Sequence, residues 1–506
     1  MSTGTDRLVL LGVCTVTAVL RLWDLDLMEF KGDEAGVIDL ALPLALGREW
    51  PLKGLVSSVG IHNPPLFIYL VAIPTAILPD PRFVTGALVG LSHVAATAIT
   101  FLWVRRHMGF VTATAAALMF ATAPWAVLYG RKLWAQDVLP PLVITSVYLC
   151  ERFWRKRRSR AAFALPIILC ALFQLHLSAV AVFALVGGML AVGLRRIHYG
   201  ALAAGTLLAL LTLTPYLVHQ AQRDYHDLRG FHNLAQGKRA NGKPRSREKV
   251  WSAEPLVLST QVVTDHSLAY AAGRSHRMFQ ASQSNAGSML SKAAEAASQV
   301  LWVVGLGLLA ARLTRRQTRT PAYIALGCWM FGYVAAMLVL RLEEQYPHYF
   351  IMLYPVAFVV MALPLGAACD RPDRKMGALA VTALTVVLVG NLTTLGAFRA
   401  FILAEGGTRG DYGAAFHHKL EMSQWLVAQG LRLDRARYEL HHLVRITDAF
   451  GDQEAIDRVL AARGRAPTGS DRVRVVSTLR RPSAAGRKCR GRQDFGPLVA
   501  CPRKPK

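Results

Sequence analysis

Long apolar stretches recur along the chain, separated by short polar or basic turns, and this pattern predicts a bundle of membrane-crossing helices. A crossing helix needs roughly 20 apolar residues. Eleven stretches are candidates: 8–23, 83–104, 110–129, 138–150, 161–175, 177–194, 200–217, 300–313, 322–340, 349–368 and 376–398. The first follows Arg7 in the manner of a secretory signal, but it runs into Arg21-Leu22-Trp23-Asp24 without a small-residue cleavage pattern. It reads as an uncleaved first span with Trp23 at the interface.

A twelfth apolar run, 64–78, is short and interrupted by Pro74, and the charges decide its placement. Counting it as a span would put the basic stretch 151–160 outside. Leaving it out puts that stretch, Arg105-Arg106, Arg195-Arg196, 312–319 and 371–375 all on the cytoplasmic face, as the positive-inside rule requires. The run is therefore expected to lie in the interface as a helix. The N-terminus is then cytoplasmic and the C-terminus extracytoplasmic in an integral plasma (inner) membrane protein. The outer segments are 24–82, 130–137, the 174–177 turn, 218–299, 341–348 and everything after Arg399.

Composition agrees with this picture. The chain has 506 residues, 53% of them hydrophobic, yet a net charge of +26. The basic residues fall mainly in short loops and the C-terminal tail, so topology accounts for the loop charges without a nucleic-acid partner. Of seven cysteines, Cys14, Cys150, Cys170, Cys328 and Cys369 lie in or beside apolar runs as packing residues. Cys489 and Cys501 flank a polar tail segment that would face an oxidising compartment, where a disulfide between them is expected. No Cys/His spacing suits a structural zinc site.

The expected fold is an all-α polytopic membrane protein of about eleven spans with a small C-terminal soluble α/β domain. Residues 1–398 form the membrane module, with a first outer loop at 24–82 and a long outer loop at 218–299, and 399–506 form the extracytoplasmic domain. Polar, Gly-, Ser-, Arg- and His-rich, the long loop suits a lid or acceptor-binding element, with 237–249 expected to be disordered. In the tail, helical periodicity at 414–430 and 448–462 is joined by strand-like alternation at 473–479.

Chemistry-bearing residues gather on the outer side. Asp33-Glu34, just after the first span, can take a proton from an acceptor hydroxyl or ligate a divalent metal; a solvated acidic loop is the plainer reading. His62-Asn63 precede two prolines that stiffen the start of the interfacial helix, where the alternative is a solvated membrane-surface turn. Arg131 and Lys132 lie outside, against the charge rule, and an anionic lipid phosphate would explain them better than snorkelling beside Trp134. Asp137 stands at the mouth of a span. His176 lies in a tight outer turn, where a hydrogen-bonded core histidine is the bland alternative. Arg341, Tyr346 and His348 share one outer segment and suit phosphate oxygens.

Taken in order, Gly32-Asp33-Glu34-Ala35, Asn63-Pro64-Pro65-Leu66, Arg131 to Asp137, Gln174-Leu175-His176-Leu177 and Tyr346-Pro347-His348-Tyr349-Phe350 resemble the GT-C superfamily of membrane glycosyltransferases. The likeness is to the protein O-mannosyltransferase and aminoarabinose-transferase group (glycosyltransferase family 39-like) and covers about residues 8–398. Each motif alone is weak; their order and common sidedness make the set specific. The resemblance implies a GT-C-like fold and inverting transfer of a hexosyl or pentosyl group from a polyprenyl-phosphate donor to a lipid, glycan or protein acceptor at the outer face. It implies Asp33 as the catalytic carboxylate beside Glu34. Arg131, Lys132, Arg341, Tyr346 and His348 are then expected at the donor phosphate, with His62, Asn63, Asp137 and His176 as further site residues. No cofactor is certain. A divalent metal on Asp33, Glu34 and Asp137 is open, although relatives of the mannosylating type are not read as needing one. The tail lacks a sugar-binding repeat like that of eukaryotic protein mannosyltransferases. The alternatives are a transporter or flippase of lipid-linked saccharides, which should show two related halves with mid-membrane ionisable groups, and a scaffold whose tail binds a partner.

Overall fold

The first helix, Thr3–Leu22, ends in a buried arginine, and the reason lies in the neighbouring helices. Arg21 donates to the Phe120 carbonyl at 3.0 Å and to the Ala121 carbonyl, while its Nε donates to His93 Nδ1 at 3.3 Å. A charge so deep is tolerable only when hydrogen-bonded in this way. The structure is a computed structural model, and it describes residues 3–57, 59–155, 159–179, 182, 198–236, 238–243, 252–340, 345–428, 432–433, 472–477 and 493–502.

The described chain is mostly helical. Four helices are long and apolar enough to cross a membrane: Pro81–Met108, Asn285–Thr314, Pro321–Leu340 and Arg374–Glu405. Two bent pairs raise the number to six if each is one span: Tyr199–Thr212 with Thr214–Gln222, bent by 50°, and Pro347–Leu353 with Val356–Cys369, bent by 59°. Eleven uninterrupted spans are thus not present among the described residues. The reason is local. The run expected as one span at 110–129 breaks at Ala123, whose ψ of 129° is the extended backbone that a following proline demands, into Phe110–Thr122 and Pro124–Tyr129. Most of the span expected at 177–194 lies outside the described residues, as do Arg341 and Cys489.

The segment expected as the first outer loop contains a helix that the sequence reading did not anticipate, Gly32–Ala45. It starts where the Lys31 backbone N–H donates to Glu34 Oε2 at 2.9 Å, half of a capping box. The apolar run at 64–78 forms Leu66–Ile77, 12 residues long, which packs against Gly32–Ala45. That is too short to span a bilayer.

At the centre lies Val356–Cys369, buried along most of its length and packed on Phe110–Thr122 and Asn285–Thr314. Small residues permit this closeness: a Cβ on Gly305 would fall 2.2 Å from the Val360 carbonyl, and one on Gly390 would fall 2.1 Å from Ala294 Cβ.

Beyond Glu405 the chain folds back onto the end of the bundle that holds Met28 to Phe30. Glu29 and Ala415 form an isolated antiparallel bridge, the Phe416 N–H donates to the Met28 carbonyl at 3.1 Å, and the Lys419 ammonium donates to the Phe30 carbonyl. The tail helix is Phe416–Ala428. A small sheet follows in the order β1-β2-β4-β3, with β1 at Arg432–Leu433, β2 at Arg472–Ser477, β3 at Gln493–Phe495 and β4 at Leu498–Pro502. β1 and β2 are parallel, and the other pairs are antiparallel. The helix expected at 448–462 falls outside the described residues, as does Cys489, the expected partner of Cys501 in β4.

Candidate active site

Three parts of the chain converge at one end of the bundle: residues 28–34, residues 129–137 and residues 411–412. Glu29, buried, accepts from Lys132 Nζ at 2.6 Å and also pairs with Lys31. Asp411 bridges the two lysines, with Oδ1 at 3.0 Å from Lys31 Nζ and Oδ2 at 3.6 Å from Lys132 Nζ. Lys31 donates in addition to the Asp411 carbonyl at 2.6 Å. Glu34 is fully buried in the first turn of its helix, with Oε1 3.9 Å from Lys132 Nζ. The result is a partly buried network of two ammonium and three carboxylate groups. Met28, Tyr129, Arg131 and Tyr412 complete the walls of a small cleft over it.

Burial pushes the Glu34 carboxyl up, and Glu29 pushes the same way, while Lys132 and Lys31 oppose; the result is about 7. Asp137, also fully buried, is driven well above the carboxylate range by burial, against the pull of Lys132. Both its carboxyl oxygens lack a hydrogen-bond partner, and its backbone carbonyl accepts from or faces His93 Nε2 at 2.9 Å. Asp411 goes the other way: burial raises it, but Lys132 and Lys31 together bring it below the usual range.

Trp134 links this network to the segment after residue 344. Lys132 Nζ sits 3.1 Å from the centre of its ring, a cation–π contact, and His348 meets the ring edge-on with centroids 5.0 Å apart. Tyr346 stacks on His348 at 5.5 Å, and His176 packs on Tyr349 at 5.5 Å. Burial first, then His176 and Lys132, holds the His348 imidazole well below its usual value, and burial brings His176 down to about 4. Both rings are therefore neutral near pH 7. They can offer hydrogen bonds to a phosphate, not charge. His348 Nδ1, Trp134 Nε1 and Gln345 Oε1 are buried without a hydrogen-bond partner, a set of polar atoms that a polar ligand would satisfy.

The structure thus brings Glu34, Lys132, Asp137, His176, Tyr346 and His348 to one region. Asp33 adjoins it on the exposed side of the same helical turn, and no described hydrogen bond or ion pair holds its carboxylate. Arg131 is used differently. Its guanidinium donates to the Trp23 carbonyl at 2.7 Å and the Asp24 carbonyl at 2.6 Å, capping the end of the first helix.

His62 and Asn63 belong to a second group. His62 Nδ1 lies 3.2 Å from Asp227 Oδ1, and Asp227 also accepts from Gln220 at 2.7 Å. Asn63 donates to the Leu55 carbonyl at 3.2 Å and shapes the turn before the prolines. With His219, His62 and Asp227 offer three ligand atoms within 4.8 Å of one another. The Lys53 ammonium stands 2.9 Å from His62 Nε2, so that nitrogen accepts and the Nδ1 proton points at Asp227, which satisfies the group without a cation. A divalent ion on Asp33, Glu34 and Asp137, left open by the sequence, fits poorly as well: Lys132 already supplies positive charge beside Glu34, and Asp33 is exposed.

Sequence reasoning missed Glu29, Lys31 and Asp411. The first two sit inside the stretch that carried the acidic pair, and the alternation of acid and base at 29, 31, 33 and 34 was the available signal. For Asp411 no local signal exists.

No known family profile matches the chain, and no curated protein matches it in sequence. Solved structures do match in shape. ArnT from Cupriavidus metallidurans bound to undecaprenyl phosphate superposes with a TM-score of 0.60 at 12% identity, covering 99% of this chain and 98% of that one. The same protein in the apo state gives 0.57 at 12% identity. The Archaeoglobus fulgidus oligosaccharyltransferase gives 0.48 at 11% identity over 94% of this chain and 70% of that one. The fold is therefore that of ArnT, in line with the architecture that the motif order led one to expect. The likeness to ArnT runs from end to end of both chains. It is an integral membrane protein.

Proposed function

We propose that the chain is a glycosyltransferase that takes a sugar from a polyprenyl-phosphate donor and passes it, with inversion, to an acceptor at the extracytoplasmic face. The observation that supports this most directly is the lysine–carboxylate network at the outer end of an ArnT-like bundle, next to an unengaged Asp33. A sugar phosphate already carries a good leaving group. The protein has only to activate the acceptor and stabilise the phosphate that departs. Asp33, exposed and unpaired, takes the acceptor proton as the acceptor oxygen attacks the anomeric carbon. The bond from that carbon to the phosphate oxygen breaks, and its electrons remain on the phosphate. Lys132, with Tyr346 and His348 as hydrogen-bonding groups, receives the growing negative charge. Arg341 belongs to the same segment and joins them in this reading. Glu29 and Glu34 hold the lysine in place.

The topology proposed with it has eleven crossings, the shorter helices spanning with their broken continuations, a cytoplasmic N-terminus and an extracytoplasmic tail domain. Purified protein in lipid, incubated with radiolabelled polyprenyl-phosphate sugars beside Asp33→Asn, tests the reading. Sugar transfer or release by the native protein alone supports it and names the sugar. Equal turnover by both forms removes Asp33 as the base, and inactivity of the folded native protein with every donor overturns the reading.

A further inference from the structure

The network described above already neutralises its own cations, since Glu29 and Asp411 alone match both lysines. Two lysines, Lys31 and Lys132, face three carboxylates, Glu29, Glu34 and Asp411. With both lysines already matched, an incoming phosphate meets no free positive charge among the described residues of this network. One acid has to give way.

The three acids are not equally free to do so. Glu29 lies in a strand-like segment paired to Ala415, and its side chain is 9% exposed. Glu34 is 0% exposed and holds the start of its helix through the Lys31 N–H. The Asp411 side chain is 29% exposed and projects from a turn between Gly410 and Gly413, the latter at a φ of 72°. Asp411 is also the acid whose two oxygens go to different lysines, as two oxygens of a phosphate would.

We infer that the donor phosphate binds between Lys31 and Lys132, in the place that Asp411 fills in the empty protein, and that Asp411 is a built-in anion displaced by the donor. The inference rests on the proposed use of a polyprenyl-phosphate donor. The exchange balances in charge. A polyprenyl phosphosugar is a phosphodiester with one negative charge, equal to that of the carboxylate it replaces. Neutral lipids gain nothing from the exchange. After transfer the leaving polyprenyl phosphate is a monoester and can hold a second charge, and Asp411 competes with it for the lysines, which aids release. Asp411 is thus a positioning residue that sets phosphate affinity, not a group that touches the sugar.

The test uses the full-length protein in lipid nanodiscs with undecaprenyl phosphate as the probe. Asp411→Asn should bind the probe about tenfold more tightly than the native protein, as expected when one competing charge is removed beside two ammonium groups. The same variant should lower KM for the donor more than it changes kcat, and Asp411→Glu should stay near native on both. Carbodiimide labelling of the native protein, read by mass spectrometry, gives a result that needs no variant: Asp411 should label faster with undecaprenyl phosphate bound. Unchanged or weaker binding by Asp411→Asn, or labelling of Asp411 that stays level or falls with the lipid, overturns the inference while leaving the glycosyltransferase reading intact. A native protein that neither binds undecaprenyl phosphate nor turns over any donor overturns both.

Discussion

Lys132 is the residue on which the site depends most. It reaches Glu29, Glu34 and Asp411, lies over Trp134, and is itself 2% exposed. Lys132→Met should lower sugar transfer by at least about a hundredfold. It should also lower the thermal midpoint, because buried carboxylates lose their partner. Lys132→Arg should recover part of both, which distinguishes charge from packing. Glu34 gives a prediction about pH. Its carboxyl titrates near 7 when folded against an ordinary 4.5, so the folded protein holds the proton more tightly than the unfolded chain. Stability from this group is full below pH 4.5 and is lost as pH rises toward 7, an effect of about 3 kcal/mol at most. Glu34→Gln should flatten the fall in thermal midpoint between pH 5 and pH 7.5. A fall as steep as in the native protein would assign the titration to Asp137, whose shift has the same sign. Much of this was legible in the chain itself: an acid pair after the first span, and a lysine on the wrong side of the membrane for the charge rule. What stayed hidden was the neutral state of His176 and His348, which depends on burial that no spacing reveals.

Among the elements, the apolar runs forecast where helices lie better than where they stop. Leu66–Ile77, Phe416–Ala428 and Arg472–Ser477 fall close to their expected positions, since periodicity and alternation are local properties. Breaks at Ala123-Pro124 and between Thr212 and Thr214 are less predictable, because a proline in a long apolar run can start a helix as well as end one. The helix Gly32–Ala45 was missed for another reason: its buried face looks toward Leu66–Ile77, which the chain supplies only later. Contacts between long helices make a sharper prediction. Gly390→Val would press a side chain into Ala294, where even a Cβ comes within 2.1 Å, between Arg374–Glu405 and Asn285–Thr314. The expected cost is about 2 kcal/mol, seen as a lower thermal midpoint in detergent. Gly396→Val on the same helix, with open space around it, should change little.

For the whole molecule, sidedness is the property to measure. Reporter enzymes active only outside the cytoplasm, fused after Glu405, should be active, and the same reporters fused after Arg315 should be silent. The reverse pattern would invert the topology and detach the site from the outer face. The expected sidedness sums many charges along the chain; the pairing of Lys31 with Asp411 had no such signal, since Asp411 is 380 residues distant. That distance bears on how the protein is made. The lysines and Glu29 leave the ribosome among the first residues, and Asp411 follows only after the last long helix has been inserted. Throughout synthesis the nascent chain carries a half-built site whose ammonium groups lack one counter-ion, and the fold-back of 406–416 onto Met28 and Phe30 is the step that matures it. On the proposed function and topology, maturation of the fold and of the site would share this one event, and any factor that delays the fold-back of 406–416 would hold the protein back as a precursor.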